Sequence, residues 1–184
     1  MKNVYIVLTQ TGTILARTIK LFTAEDYNHA SICLDDSFEK LYSFGRLRPY
    51  NPFIGGFLIE NAFTHVFGRF ENVPCMVIKK QVTDEQYSSI TNTIEQFIHN
   101  PKNYKFDIPN MILAKTNMTF EHENKFFCSE FVGHVLEEAG IELPNTLEKM
   151  RPYQFSLLDN SEIIYRGELK DWCGNEAKKV LMRN

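Results

Sequence analysis

Two residues of the sequence, Cys128 and His29, are of the types needed for nucleophilic catalysis through a thiol. Cysteine attacks as the thiolate, and histidine takes its proton and later returns it to a leaving group. Cys128 stands in Lys125-Phe126-Phe127-Cys128-Ser129-Glu130-Phe131-Val132, a stretch that opens a helix. Phe131, Val132, Val135, Leu136 and Ala139 recur at about the 3.6-residue helical period, and Gly140 follows as a stop. Cys128 lies three and four residues before Phe131 and Val132, so it falls near the inward-facing stripe. In a first turn it feels the partial positive charge of the helix N-terminus, which favours a thiolate. The alternative is a plain packing role, since unpaired cysteine is often buried and inert.

His29 lies about a hundred residues upstream, in Asp26-Tyr27-Asn28-His29-Ala30-Ser31-Ile32-Cys33-Leu34. The run after His29 is small or apolar and closes with Asp35-Asp36-Ser37, the pattern of a short buried strand and a turn. Alone, such a histidine is a hydrogen-bonded core or surface residue. Facing a thiol at a helix start, it completes a Cys/His pair. Lys40-Leu41-Tyr42-Ser43-Phe44 reads as the next antiparallel strand, so its residues lie beside His29 in a hairpin.

The remaining elements must position these two residues. Residues 4–9 form a buried strand, 10–13 a polar turn and 14–22 a short amphipathic helix with Leu15, Ile19 and Phe22 on one face. Residues 45–57 hold Arg46, Arg48, Pro49, Asn51, Pro52, Gly55 and Gly56, which predicts a loop. Tyr50, Phe53 and Phe57 either pin that loop to the surface or let it cover a cleft. Residues 61–72 show no clear pattern, and 75–82 predict a strand. Thr83 and Gln86 form a capping box, opening a helix with Tyr87, Ile90, Ile94 and Phe97 on one face that ends near Asn100-Pro101. Residues 104–124 read as irregular or partly helical, and 162–166 as a strand.

Composition bounds the function. The 184 residues suit one domain, or one domain with an insertion. Hydrophobic residues make up 43%, with 15 Phe and 8 Tyr, which predicts a substantial aromatic core. A net charge of −3, from 20 basic and 23 acidic residues, argues against nucleic acid as the main partner. No apolar run reaches the roughly 18 residues of a membrane-spanning helix. The N-terminus passes into a strand pattern with no signal-peptide core, so the expected compartment is the cytoplasm. Cys33, Cys75, Cys128 and Cys173 form no C-x-x-C pair, so neither a structural metal nor a disulfide is expected, and no cofactor is called for. Cys33 and Cys75 lie in strand patterns as packing residues, and Cys173 carries no functional signal. His65, His99, His122 and His134 lack a comparable setting, and His134 is expected to be exposed.

Histidine in a Tyr27-Asn28-His29 strand, followed far downstream by Phe127-Cys128-Ser129-Glu130-Phe131-Val132, resembles the circularly permuted papain-like hydrolases. These are the permuted NlpC-type proteins of the YiiX/YaeF group, distantly similar to the lecithin:retinol acyltransferase fold. In papain cysteine precedes histidine; in the permuted group the histidine strand comes first, as here. The similarity starts at the first strand, runs through Thr23-Ala24-Glu25-Asp26-Tyr27-Asn28-His29 and covers roughly residues 4–141, with Tyr42-Ser43-Phe44-Gly45-Arg46 and Gly55-Gly56-Phe57 typical of one subgroup. It implies an α+β fold: an antiparallel, barrel-like sheet packed against helices, with the nucleophile at a helix N-terminus, in one permuted domain spanning 1–184.

The resemblance also implies roles. Cys128 is the expected nucleophile and His29 the base. A third polar residue, on the strand after the histidine strand, orients the imidazole; in relatives it is commonly Glu or His. The matching position here is Ser43, a departure from the pattern, because a hydroxyl accepts the imidazole N–H bond but supplies no negative charge. Either Ser43 suffices, or another acid such as Glu60 takes the role, or catalysis is weak. The oxyanion is expected at the Cys128 backbone N–H, with Thr9-Gln10 lying where relatives contribute to the same site. The implied reaction is hydrolysis of an amide, peptide or related acyl bond through a Cys128 thioester. The implied partner is a small peptide, amino-acid amide or acyl compound. Two other classes stand beside it: a non-catalytic binding domain that keeps the cleft, and a thiol acyltransferase handling lipids.

Overall fold

The computed structural model describes residues 1–10, 26–48, 51–61, 72–106 and 124–172. The predicted helix over 14–22, the patternless 62–71, most of the irregular stretch after Tyr104, and His65, His122 and Cys173 lie outside these residues.

Six strands form one sheet in the order β4-β3-β2-β1-β5-β8. They are β1 (Lys2–Thr9), β2 (His29–Cys33), β3 (Leu41–Arg48), β4 (Asn51–Glu60), β5 (Pro74–Val82) and β8 (Ser161–Glu168). Every pairing in this sheet is antiparallel. Two-residue strands β6 (Lys105–Phe106) and β7 (Lys125–Phe126) pair in parallel beside it. Among the described residues the sheet ends in two edges, β4 and β8, that do not meet. The expected barrel-like closure is therefore corrected to an open sheet packed with helices, in an α+β arrangement.

The central strands are buried on both faces, which is why β1 reads Val4-Tyr5-Ile6-Val7-Leu8 without polar alternation. One face, through Ile6, Leu8, Ala30, Ile32, Phe44 and Met76, meets the two helices. These are α1 (Asp84–His99) and α2 (Cys128–Glu137). Helix α1 begins at the predicted capping box, Thr83 with Gln86, and buries Ile90, Ile94 and Phe97. Helix α2 buries the predicted stripe of Phe131, Val132, Val135 and Leu136, and Gly140 takes φ 69° just beyond its end. The rings of Phe97 and Phe131 cross edge to face at 5.0 Å, and Phe44 lies 5.3 Å from Phe131. Each such ring contributes about 1.5–3 kcal/mol by burial. The opposite face packs Tyr5, Val7, Cys33, Phe38, Leu41 and Trp172.

The largest departure from the sequence reading is at 45–57. In place of a loop, the ends of β3 and most of β4 pair across it, Phe44 with Phe57, Gly45 with Gly56 and Arg46 with Gly55. The glycines serve close approach and not turning. A Cβ on Gly55 would stand 2.6 Å from Phe106 Cβ and 2.7 Å from the Gly45 carbonyl oxygen, so only glycine fits where β6 crosses the hairpin.

Candidate active site

His29 is the first residue of β2, and its register across β1 sets it opposite Thr9. Residues two apart on a strand share a face, so Ser31 projects on the same side as His29. From β3 and β4 the same side receives Ser43 and Glu60. Leu41 pairs with Glu60 and Ser43 with Leu58, so Ser43 and Glu60 project from the same face, and the Glu60 side chain reaches along it to the ring. Gly45 completes this wall: a Cβ there would lie 3.7 Å from His29 Cε1.

Cys128 is the first helical residue of α2, with Phe127 as its N-cap. The Phe127 N–H donates to Glu130 Oε2 at 3.3 Å, so Glu130 closes the first turn on itself and is buried in doing so. The Ser129 hydroxyl donates to the Met150 carbonyl at 2.6 Å and fastens this turn to the chain after the helix. The backbone N–H of Cys128, in the first turn, has no carbonyl of its own helix to bond. The thiol reaches the Asn28 carbonyl at 4.0 Å, immediately before His29.

The thiol stands close enough to the imidazole to raise its pKa, across about a hundred residues of sequence. His29 Nε2 lies 2.8 Å from Glu60 Oε2, in a pair whose side chains are 14% and 10% exposed. Burial alone would push the imidazole down. The Glu60 carboxylate, with the ring's own hydrogen bonding toward Cys128 and Glu60 and the proximity of the ionisable thiol, outweighs it and raises His29 to about 10. His29 is therefore held as imidazolium through neutral pH.

Ser43 stands 3.3 Å from His29 Nε2, close enough to touch it. Its hydroxyl proton goes to the Ala30 carbonyl at 2.9 Å, which leaves a lone pair for the imidazole. The carboxylate is nearer and charged. The arrangement thus brings together Cys128, His29 and Ser43, and adds Glu60, the acid weighed beside Ser43. Ser31 was not singled out in the sequence, although its place two residues after His29 was a sufficient signal. Thr9 is buried with its hydroxyl unbonded among the described residues, on the side of the sheet that carries His29.

The other titratable candidates fall elsewhere. Cys33 and Cys75 are buried packing residues, as their strand positions predict. His134, expected to be exposed, is half-buried: its ring packs 5.2 Å from Phe126 and 6.0 Å from Phe97, side chains brought in by β7 and α1. Burial lowers its pKa, partly opposed by Glu138 and Glu137. Among the described residues no group of His, Cys, Asp and Glu is arranged to hold a metal ion, and no helix is long and apolar enough to cross a membrane. No protein-family model and no curated protein sequence matches the chain.

Proposed function

We propose that the protein is a thiol hydrolase of the permuted papain-like type, cleaving an amide, peptide or related acyl bond. The observation that supports this reading is the chain of contacts Cys128–His29–Glu60, in which a buried carboxylate charges the imidazole beside a thiol at a helix start. An imidazolium there favours the thiolate, the attacking form. Cys128 Sγ attacks the acyl carbon, and the carbonyl electrons move to oxygen, beside the Cys128 N–H. As the oxyanion collapses, the bond to the leaving group breaks and His29 gives that group its proton, leaving a Cys128 thioester. Water, losing a proton to His29, then attacks the thioester carbon. The acid is released and the thiol reforms with the returned proton.

Glu60 takes the orienting role that the resemblance gives to Ser43. A non-catalytic binding domain draws its support from the missing charge at Ser43, and Glu60 supplies that charge. The substrate class consistent with this chemistry is a small peptide, amino-acid amide or acyl compound, with no cofactor. The test is a screen of amides and esters with wild type, Cys128→Ala and His29→Ala. Turnover in wild type and its loss in both variants, with native circular dichroism, is the expected result. Undiminished turnover in either variant would sink the mechanism.

A further inference from the structure

Three oxygens surround the single atom His29 Nε2: Glu60 Oε2 at 2.8 Å, Ser43 Oγ at 3.3 Å and Ser31 Oγ at 3.4 Å. The two hydroxyls are alike in one respect. Each has its only proton committed elsewhere, Ser43 to the Ala30 carbonyl and Ser31 to Glu60 Oε2 at 3.4 Å. Each therefore turns lone pairs, and no proton, toward the ring. Ser31 is 1% exposed and Ser43 fully buried, so water does not substitute for either. Among the described residues, the titratable groups that act on the ring are Glu60, from β4, and Cys128, from α2.

We propose that Ser31 is a positioning residue of this site. Its hydroxyl steers the Glu60 carboxylate and, with Ser43, makes the surroundings of Nε2 acceptor-only. The consequence is a division of labour within the ring. A nitrogen facing three acceptors keeps its proton in both charge states, because losing it would set lone pair against lone pair. Nδ1 is then the nitrogen left to exchange a proton. Ser31 contributes twice, once by donating to Glu60 and once by accepting from Nε2.

The inference rests on the imidazole–carboxylate pair of the proposed hydrolase, and is tested on the ring itself. Nitrogen-15 NMR of the full chain reads the titration and the tautomer of His29 directly. In Ser31→Ala the midpoint falls by about one unit, the worth of one charge-assisted contact, and the neutral ring gains an Nδ1–H population absent from wild type. Ser31→Thr, which keeps the hydroxyl, restores both. In a Glu60→Gln background Ser31→Ala has a smaller effect, since only the contact with Nε2 is left to lose. Ser31→Cys fills the same space with a much weaker donor and must shift the midpoint in the same direction, which serves if Ser31→Ala does not fold. An unchanged midpoint and tautomer in Ser31→Ala, or in Ser31→Cys where that variant stands in, would overturn the assignment. An inactive protein whose His29 titration still depends on Ser31 would sink the hydrolase reading and leave this one standing.

Discussion

Strand β2 has a cysteine at each end, and the two sites differ in everything but burial. Cys33 closes the strand, 1% exposed, among Tyr5, Phe38 and Leu41. Its thiol donates to the Asp35 carbonyl at 3.1 Å, and burial pushes it up to about 11, so it stays a neutral packing group. Cys128 meets the start of the strand from α2, 6% exposed, and there an imidazole and a carboxylate are buried with it. Low dielectric makes an isolated thiol inert and an ion pair strong. The company a buried cysteine keeps, and not its depth, separates the two.

The widest gap between these ends should close when Glu60 loses its charge. Glu60→Gln is expected to cost about 10²-fold or more in turnover, since the base loses the group that orients and charges it. The same change alters the response of stability to pH. A histidine raised to about 10 in the fold, from about 6.5 unfolded, contributes stability that is fully present below pH 6.5. That contribution drains away as pH rises toward 10. The wild-type melting temperature should fall across that window, and the Glu60→Gln curve should be flatter. Parallel curves would show that the pair is not charged as described.

A second measurement compares the two cysteines in one sample. Mass-resolved alkylation of the folded chain at neutral pH should label Cys128 about 10²-fold faster than Cys33, and His29→Ala should erase most of that lead. Equal rates at both sites would remove the distinction. The smallest expected effect is at Ser43. Its loss removes one lone-pair contact, worth roughly 2- to 10-fold in turnover, with the ring still held by Glu60. A loss as complete as that of Cys128→Ala would transfer the main role back to Ser43.

Cys128 and His29 were legible in the sequence because each sits at an element boundary that local pattern defines: a helix start before an apolar stripe, and a strand start before a turn. Ser43 was legible through the hairpin register, which only needs the turn at Asp35-Asp36. Glu60 was harder to assign, since residues 45–57 carry glycines and prolines that usually break strands. Residues 45–48 and 51–57 continue β3 and β4, and the glycines make room for β6, a contact that no local pattern contains. His134 departs from its expected exposure for a related reason. Its position on α2 points away from Cys128, but Phe97 and Phe126 arrive from elsewhere in the chain to cover it. The open sheet likewise depends on which strands meet, and strand pattern alone does not say whether the first closes on the last.

Glu60 is the last residue of β4, and β4 is an edge of the sheet, hydrogen-bonded among the described residues only to β3. Edge strands let go first when a protein fluctuates, at a free energy well below that of the whole fold. The charge on His29 is thus tethered to an edge of a well-packed molecule. On warming, the ring should be discharged by fraying of this border while the aromatic centre under α1 and α2 is still intact. Activity would then fade before the melt begins, and the protein's working range would be set by one strand and not by its core.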